Sequence, residues 1–198
     1  MGGTTALDEL VAAVDGVLVR GLSDLDAVEA MRPAVATMVA RAGELPDAVR
    51  TSPDGQALGH LLHDDPDGRF HVITVVFPSG TSSGIHEHGC WGVIGYIAGL
   101  DEETKYERVD GGAGPDGCDL VERTRVLNEP GTVSRLLPPD EMFHRVRNPG
   151  ESDGVSLHVL CHSPATHPHR YWHRDERRLV PFPFTVHAGG VLRAEVQW

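Results

Sequence analysis

The sequence predicts a mainly β fold, a small antiparallel barrel or sandwich with α-helices at its N-terminus. Three observations predict it. From residue 58 onward, short apolar or alternating runs recur every eight to twelve residues between Gly, Pro and Asn turn signals. Gly 23 and Pro 14 in 198 residues favour many turns. Residues 5–50 instead carry helical periodicity. The length suits one domain spanning 1–198. Its parts are a helical layer at 1–50, a β core at 58–163 and a lid-like tail at 164–198 that ends in a closing strand.

In the helical layer, Leu7, Leu10, Val11, Val14 and Leu18 fall at spacings of three and four, with Asp8 and Glu9 where a helix dipole favours acids. A second helix is expected from Asp24 to Met31, stopping before Pro33. A third begins near Pro33 and runs to Ala42, with Gly43 as its C-terminal cap. The β core then reads as Phe70–Phe77, Trp91–Ala98, Thr104–Val109, Val121–Leu127, Thr132–Leu137, His144–Val146 and Val155–Cys161. Turns fall at Pro78-Ser79-Gly80, Glu129-Pro130-Gly131 and Asn148-Pro149-Gly150, and residues 110–119 form a Gly-rich loop. The tail reads as an irregular segment rich in His, Arg and Pro, followed by a final strand near Gly190–Val196.

Lys+Arg number 17 against Asp+Glu 29, a net charge of −12, and there are 12 His. An acidic surface argues against nucleic acid and against anionic membranes as partners. No apolar run approaches the ~18 residues a membrane span needs. The start of the chain lacks the basic and apolar regions of a signal peptide. Cys90, Cys118 and Cys161 are odd in number, far apart and without a CxxC. Three reduced thiols in a cytoplasmic protein are therefore expected, as a monomer or small homo-oligomer.

The chemistry is concentrated in Gly80-Thr81-Ser82-Ser83-Gly84-Ile85-His86-Glu87-His88. Histidines at i and i+2 on a strand share one face, so both imidazoles can reach one metal ion. Glu87 between them points the other way. Gly-x5-His-x-His, with Gly99 eleven residues after His88, resembles the first cupin motif. Pro139, His144 five residues on and Asn148 four later resemble the second, with Glu141 in the place of its Gly. That resemblance implies a double-stranded β-helix with metal ligands His86, His88 and His144. The usual glutamate ligand falls on Gly92, beside Val93, and neither can ligate. Three neutral nitrogens leave a divalent metal its full charge, which favours an anionic ligand such as a thiolate. Such a set suits Fe(II), Zn(II), Ni(II) or Cu(II).

This ligand set resembles that of the cysteine dioxygenase family of thiol dioxygenases. Gly68-Arg69-Phe70 through His88 runs along that family without a gap. Its His-Arg-Val falls on His144-Arg145-Val146, and its Ser-x-His-x-Tyr on Ser156-Leu157-His158-Val159-Leu160. Residues 89–95, Gly-Cys-Trp-Gly-Val-Ile-Gly, are most similar to a bacterial branch of predicted metal-dependent double-stranded β-helix enzymes. The resemblance implies Fe(II) as cofactor, a small thiol and O2 as substrates, and both oxygen atoms delivered to sulfur to give a sulfinate. Ser156 would orient His158, and His158 would act on the substrate or the oxygen.

Departures bear on the substrate. The family's tyrosine falls on Leu160, and the cysteine of its Cys–Tyr crosslink on Val93. The arginine that pairs with the cysteine carboxylate falls on His60, which lacks the bidentate fork of Arg. His60, Leu160 and Trp91 are therefore the expected substrate-side residues. Free cysteine is a poor first expectation; a mercapto-acid, an amine thiol or a thioimidazole such as ergothioneine is a better one. Arg69 and the Arg174, Arg177 and Arg178 cluster read as solvated charge. Tyr96 and Tyr106 are candidates for the missing phenol, while Tyr171 and Trp172 are placed to close the pocket mouth. His162, His167, His169 and His173 read as a polar lid or loop rather than as a second metal site. Two alternatives stand beside this reading. One is another metal-dependent cupin oxygenase or isomerase. The other is a non-catalytic metal-binding or small-molecule-binding module.

Overall fold

The computed structural model describes residues 3–109, 116–139, 141–164, 166–167, 169–181, 184–186 and 189–194. Helix α1 (Ala6–Leu18) opens with a capping box. The Thr5 hydroxyl accepts from the Asp8 N–H, and the Asp8 carboxylate accepts from the Thr5 N–H. Ala6, Leu10, Val14 and Val17 form its buried face. Helix α2 (Asp24–Ala40), capped by Ser23, corrects the expectation of two helices, because it runs through Pro33. An interior proline costs about 3 kcal/mol. Met31, Val35, Met38 and Val39 are buried on either side of it. Each such side chain contributes roughly 1.5–3 kcal/mol, so packing outweighs propensity. Gly43 lies inside a 3-10 turn, Ala42–Glu44, instead of capping a helix.

The strands that follow are β1 (Leu58–Asp64), β2 (Phe70–Phe77), β3 (Ser82–Glu87), β4 (Gly92–Ala98) and β5 (Asp101–Val109). Then come β6 (Asp119–Asn128), β7 (Val133–Leu136), β8 (Phe143–Arg147) and β9 (Gly154–Cys161). Strands β2 to β9 divide into two antiparallel four-stranded layers, ordered β2-β9-β4-β7 and β3-β8-β5-β6. The chain changes layer at every step except the β5–β6 hairpin. That alternation is a jelly roll, the double-stranded β-helix. The mainly β expectation with N-terminal helices holds on this strand order.

The tail departs from the expected irregular segment. β10 (Arg170–His173) and β11 (Arg178–Pro181) form a hairpin, and β10 pairs with the outer edge of β3. β12 (Phe184–Val186) pairs with β13 (Val191–Ala194), and β13 closes onto β1 through Gly59↔Leu192 and His60↔Val191. Leu179 is buried beside Tyr106, Cys118 and Phe143, and Trp172 packs against this group. Burial of these apolar side chains holds the hairpin despite its polar composition.

Register separates two apolar clusters. Phe70, Val72, Val93, Leu157 and Val159 pack under the helices. Ile73, Ile94, Tyr96, Leu136, Leu160 and Leu192 fill the barrel interior. Helix α2 sits so close to β4 that a Cβ on Gly95 would lie 2.4 Å from Val39 Cγ2. Only glycine allows that approach.

Cys90 and Cys161 form a disulfide, 71 residues apart in sequence, and Cys118 is free and buried. This corrects the expectation of three reduced thiols. The Cys161 N–H donates to the Trp91 carbonyl at 3.2 Å, so the β4–β9 ladder brings the two cysteines together. Disulfides are rare in reducing compartments, and the cytoplasmic expectation loses the support the thiols lent it. Among the described residues, no helix is long and apolar enough to cross a membrane.

Candidate metal centre

His86 and its cross-strand partner His144 lie directly opposite each other on β3 and β8, so their side chains share a face. His88 follows just past the end of β3. The three Nε2 atoms form a near-equilateral triangle, 3.2 Å for His86–His88, 3.1 Å for His88–His144 and 3.2 Å for His144–His86. All three residues are buried.

The outer nitrogens decide what these edges mean. His144 Nδ1 lies 3.0 Å from the Glu103 carboxylate, and His86 Nδ1 lies 3.3 Å from the Gly84 carbonyl. Both partners accept hydrogen bonds, so the proton sits on Nδ1 and Nε2 presents a lone pair. His88 Nδ1 meets His169 Nε2 at 3.2 Å and can donate there in the same tautomer. Three lone pairs then converge without a proton between them. A cation relieves that repulsion, and about 2.0–2.1 Å metal–nitrogen bonds are compatible with such edges. Burial, followed by the charge of neighbouring histidines, pushes His86 and His88 well below the usual imidazole range. They are neutral, as ligands must be. The donor set therefore fits a divalent transition metal.

Glu103 is the residue that sequence reasoning missed. It lies on β5, opposite Val146 and on the face of His144, and is nearly fully buried. Burial raises its carboxyl, but the His144 contact outweighs this and the net shift is downward. Nearby, the Tyr96 hydroxyl and Ser134 Oγ are 2.8 Å apart and bond each other. Asp101, two residues before Glu103, is pushed up to about 8 by burial and by the Glu103 charge. The expected strand began at Thr104 and so left Glu103 in a loop. Extending the alternation two residues back would have placed it inside. Glu103→Gln is expected to weaken metal affinity 10–100-fold, the usual cost of losing an outer carboxylate on a ligating imidazole. Competitive chelator titration checks it.

His169 is the second missed residue. It is buried and carries the His88 contact, with its ring 4.2 Å from that of His88. Nothing in the irregular spacing of the tail marks it. Burial, then neighbouring histidines, pushes it down to about 3.

Ser156 and His158 both lie on the interior face of β9, with Ser156 Oγ 2.9 Å from His158 Nε2. Burial, then the charges of His144, His71 and His169, pushes His158 down to about 3. Among the described residues, its buried Nδ1 has no hydrogen-bond partner. His71 stands on the same face, opposite Leu160 on the neighbouring strand. Its Nδ1 donates to the His162 carbonyl, which leaves Nε2 as a buried acceptor with no protein partner.

The remaining expected residues divide. Leu160 is in the interior cluster, directly opposite Gly92. A Cβ on Gly92 would lie 2.6 Å from Leu160 Cδ2, so the leucine fills the space where a carboxylate ligand was looked for. His60 does not reach the site, which corrects its assignment. It pairs with Thr74, on the face opposite to Ile73 and His158, and its Nε2 meets the Thr51 carbonyl at 3.2 Å. Trp91 is corrected likewise, because it packs in the cluster under the helices. Tyr106 packs outside the second layer with Phe143. Glu87 points away from the triad, as expected, and pairs with Arg170. Tyr171, opposite His86 on β10, shares the face of the triad.

No family model matches the sequence. Several solved structures are similar at low identity. One is a cupin superfamily protein of Desulfitobacterium hafniense, with 14% identity over 62% of this chain and 87% of that one and a TM-score of 0.43. Another is a conserved protein with a double-stranded β-helix domain from Klebsiella pneumoniae, at 14%, 62%, 84% and 0.46. A third is a Cupin 2 conserved barrel domain protein of Salinispora arenicola, at 22%, 59%, 84% and 0.41. At this level of likeness, the fold rests on the strand order described above.

Proposed function

We propose that this protein is a ferrous-iron-dependent thiol dioxygenase that converts a small thiol to its sulfinate. The observation that carries the proposal is the triangle of three Nε2 atoms 3.1–3.2 Å apart, inside a barrel whose wall also holds the Ser156–His158 pair. When bound by His86, His88 and His144, iron supplies a redox-active centre at which dioxygen and a thiolate can react.

The chain's own residues would do the rest. Ser156 holds His158 through Nε2, so Nδ1 is the ring atom left to hydrogen-bond a ligand. Glu103 holds the orientation of His144, and His169 that of His88. Tyr171, on the face of the triad, is the candidate for the phenol that is missing at Leu160.

The wall also bears on substrate class. On β8, Arg145 and Arg147 alternate with His144 and Val146 and so point away from the triad. His71 Nε2 offers a buried acceptor, and Glu103 is the carboxylate that contacts the triad. An acceptor suits an N–H donor. The substrate expected is thus a thiol bearing an amine or an imidazole-type ring, with carboxylate thiols and free cysteine weaker. This rests on His71, and no longer on His60.

Oxygen uptake by iron-reconstituted protein against a panel of thiols tests the proposal. Uptake with an amine thiol or thioimidazole, exceeding that with L-cysteine, is expected. His158→Ala should retain iron and lose about 100-fold or more in kcat, the usual scale for a lost proton-handling group. Wild-type kcat would reduce His158 to a packing residue. A metal-binding barrel without thiol turnover is the second reading, favoured by Leu160 standing where the resembled family has its phenol.

A further inference from the structure

Strand β6 is the end strand of the second sheet, so among the described residues one of its two edges has no pairing strand. It is ten residues long and exposed along nearly its whole length. Among the described residues, five large apolar side chains are strongly exposed, and three of them are on this strand: Val121 at 47%, Val126 at 50% and Leu127 at 52%. A long exposed edge of this kind is normally blunted, because it templates pairing with another chain.

The sequence of β6 is complementary to itself when reversed. Laid antiparallel on a second copy about a point between Arg123 and Thr124, it sets Asp119 against Asn128 and Leu120 against Leu127. The same register sets Val121 against Val126 and Glu122 against Arg125. Apolar meets apolar and acid meets base.

In a regular strand this register would fail. Each pair sums to an odd number, and such residues point to opposite faces. The strand is not regular. Against β5, Lys105 faces Thr124 and Tyr106 faces Glu122, so Arg123 is an extra residue, a β-bulge. The bulge reverses the alternation halfway along. Leu120, Glu122, Arg125 and Leu127 fall on one face, opposite Arg108, Tyr106, Thr104 and Glu102. Asp119, Val121, Val126 and Asn128 fall on the other. The Glu122–Arg125 ion pair at 2.9 Å within one chain shows that these two do share a face. The four pairs flanking the central Arg123 and Thr124 thus meet on the same side of the sheet.

We infer that this protein forms a two-fold homodimer by antiparallel pairing of β6 with β6 of a second copy, giving one sheet continuous across both chains. Cross-strand ion pairs and apolar pairs stabilise such a pairing, and like charges directly opposite are destabilising.

Charge reversal tests this by sedimentation velocity. The wild-type protein is expected to be a dimer. Glu122→Arg alone and Arg125→Glu alone should each be monomeric at concentrations where the wild type is dimeric, because each sets like charges across the dyad. The double variant Glu122→Arg/Arg125→Glu should return to a dimer. Mixing the two single variants should give a heterodimer, because each then presents the charge the other lacks. That mixing result separates the interface from any loss of the exposed intrachain pair, and circular dichroism confirms that each variant is folded. A monomeric wild type, or single variants that remain dimeric, would overturn the inference.

Discussion

Replacing His86, His88 or His144 singly by Ala is expected to abolish stoichiometric iron binding, measured by elemental analysis after anaerobic reconstitution. Each substitution removes one of three nitrogens and leaves two, and among the described residues no carboxylate stands ready to replace it. Leu160 occupies the space at Gly92, and Glu103 is engaged at the far side of His144. The three variants should differ in stability. His86→Ala and His88→Ala remove a neutral ring from a cluster of mutually repelling lone pairs. His144→Ala also leaves the Glu103 carboxylate buried without its imidazole, a change of the kind that costs about 3–5 kcal/mol when a buried charge loses its partner. His144→Ala should therefore show the lowest Tm of the three. Near-full iron occupancy in any one variant would remove that residue from the ligand set.

Metal-free protein is expected to lose stability steeply on mild acidification. His158 and His169 are pushed from the usual 6.5 down to about 3, chiefly by burial. The unfolded chain binds protons below 6.5 that the folded chain refuses. Stability is thus full above 6.5 and falls as pH falls towards 3, by about 1.4 kcal/mol per unit for each histidine. Asp101 acts in the opposite sense, because its carboxyl is raised from 3.8 to about 8 and acidification favours its buried neutral form. His86 and His88, also lowered by burial, add to the histidine side. The two strongly lowered histidines less one carboxyl leave a net loss of about 1 kcal/mol between about pH 7 and about pH 5, which His86 and His88 enlarge. Urea unfolding midpoints of the metal-free protein at those two values measure it. A flat profile would mean that the interior histidines are solvated.

How much of this was legible in the sequence depended on range. Phe70–Phe77 was read at its observed bounds because a β-branched run ending at Pro78-Ser79-Gly80 specifies itself locally. The triad was legible because two ligands are adjacent on one strand and the third sits in a spaced motif. Glu103 was not, since a carboxylate in an alternating strand looks solvated until the strand's facing is known. His169 and the Cys90–Cys161 bond depend on segments joined only by the closed barrel. The direction of His60 is set by its pairing with Thr74, and the run through Pro33 by burial against β4, neither of which leaves a local mark. Long-range register therefore decided each residue that sequence reasoning misplaced.

The most direct test of the central claim is product analysis of the iron-loaded protein turning over an amine thiol or thioimidazole under isotopically heavy dioxygen. A sulfinate carrying two heavy oxygen atoms, absent from the His86→Ala, His88→Ala and His144→Ala proteins, is the predicted result. Full iron occupancy with no heavy oxygen in any thiol would contradict the account.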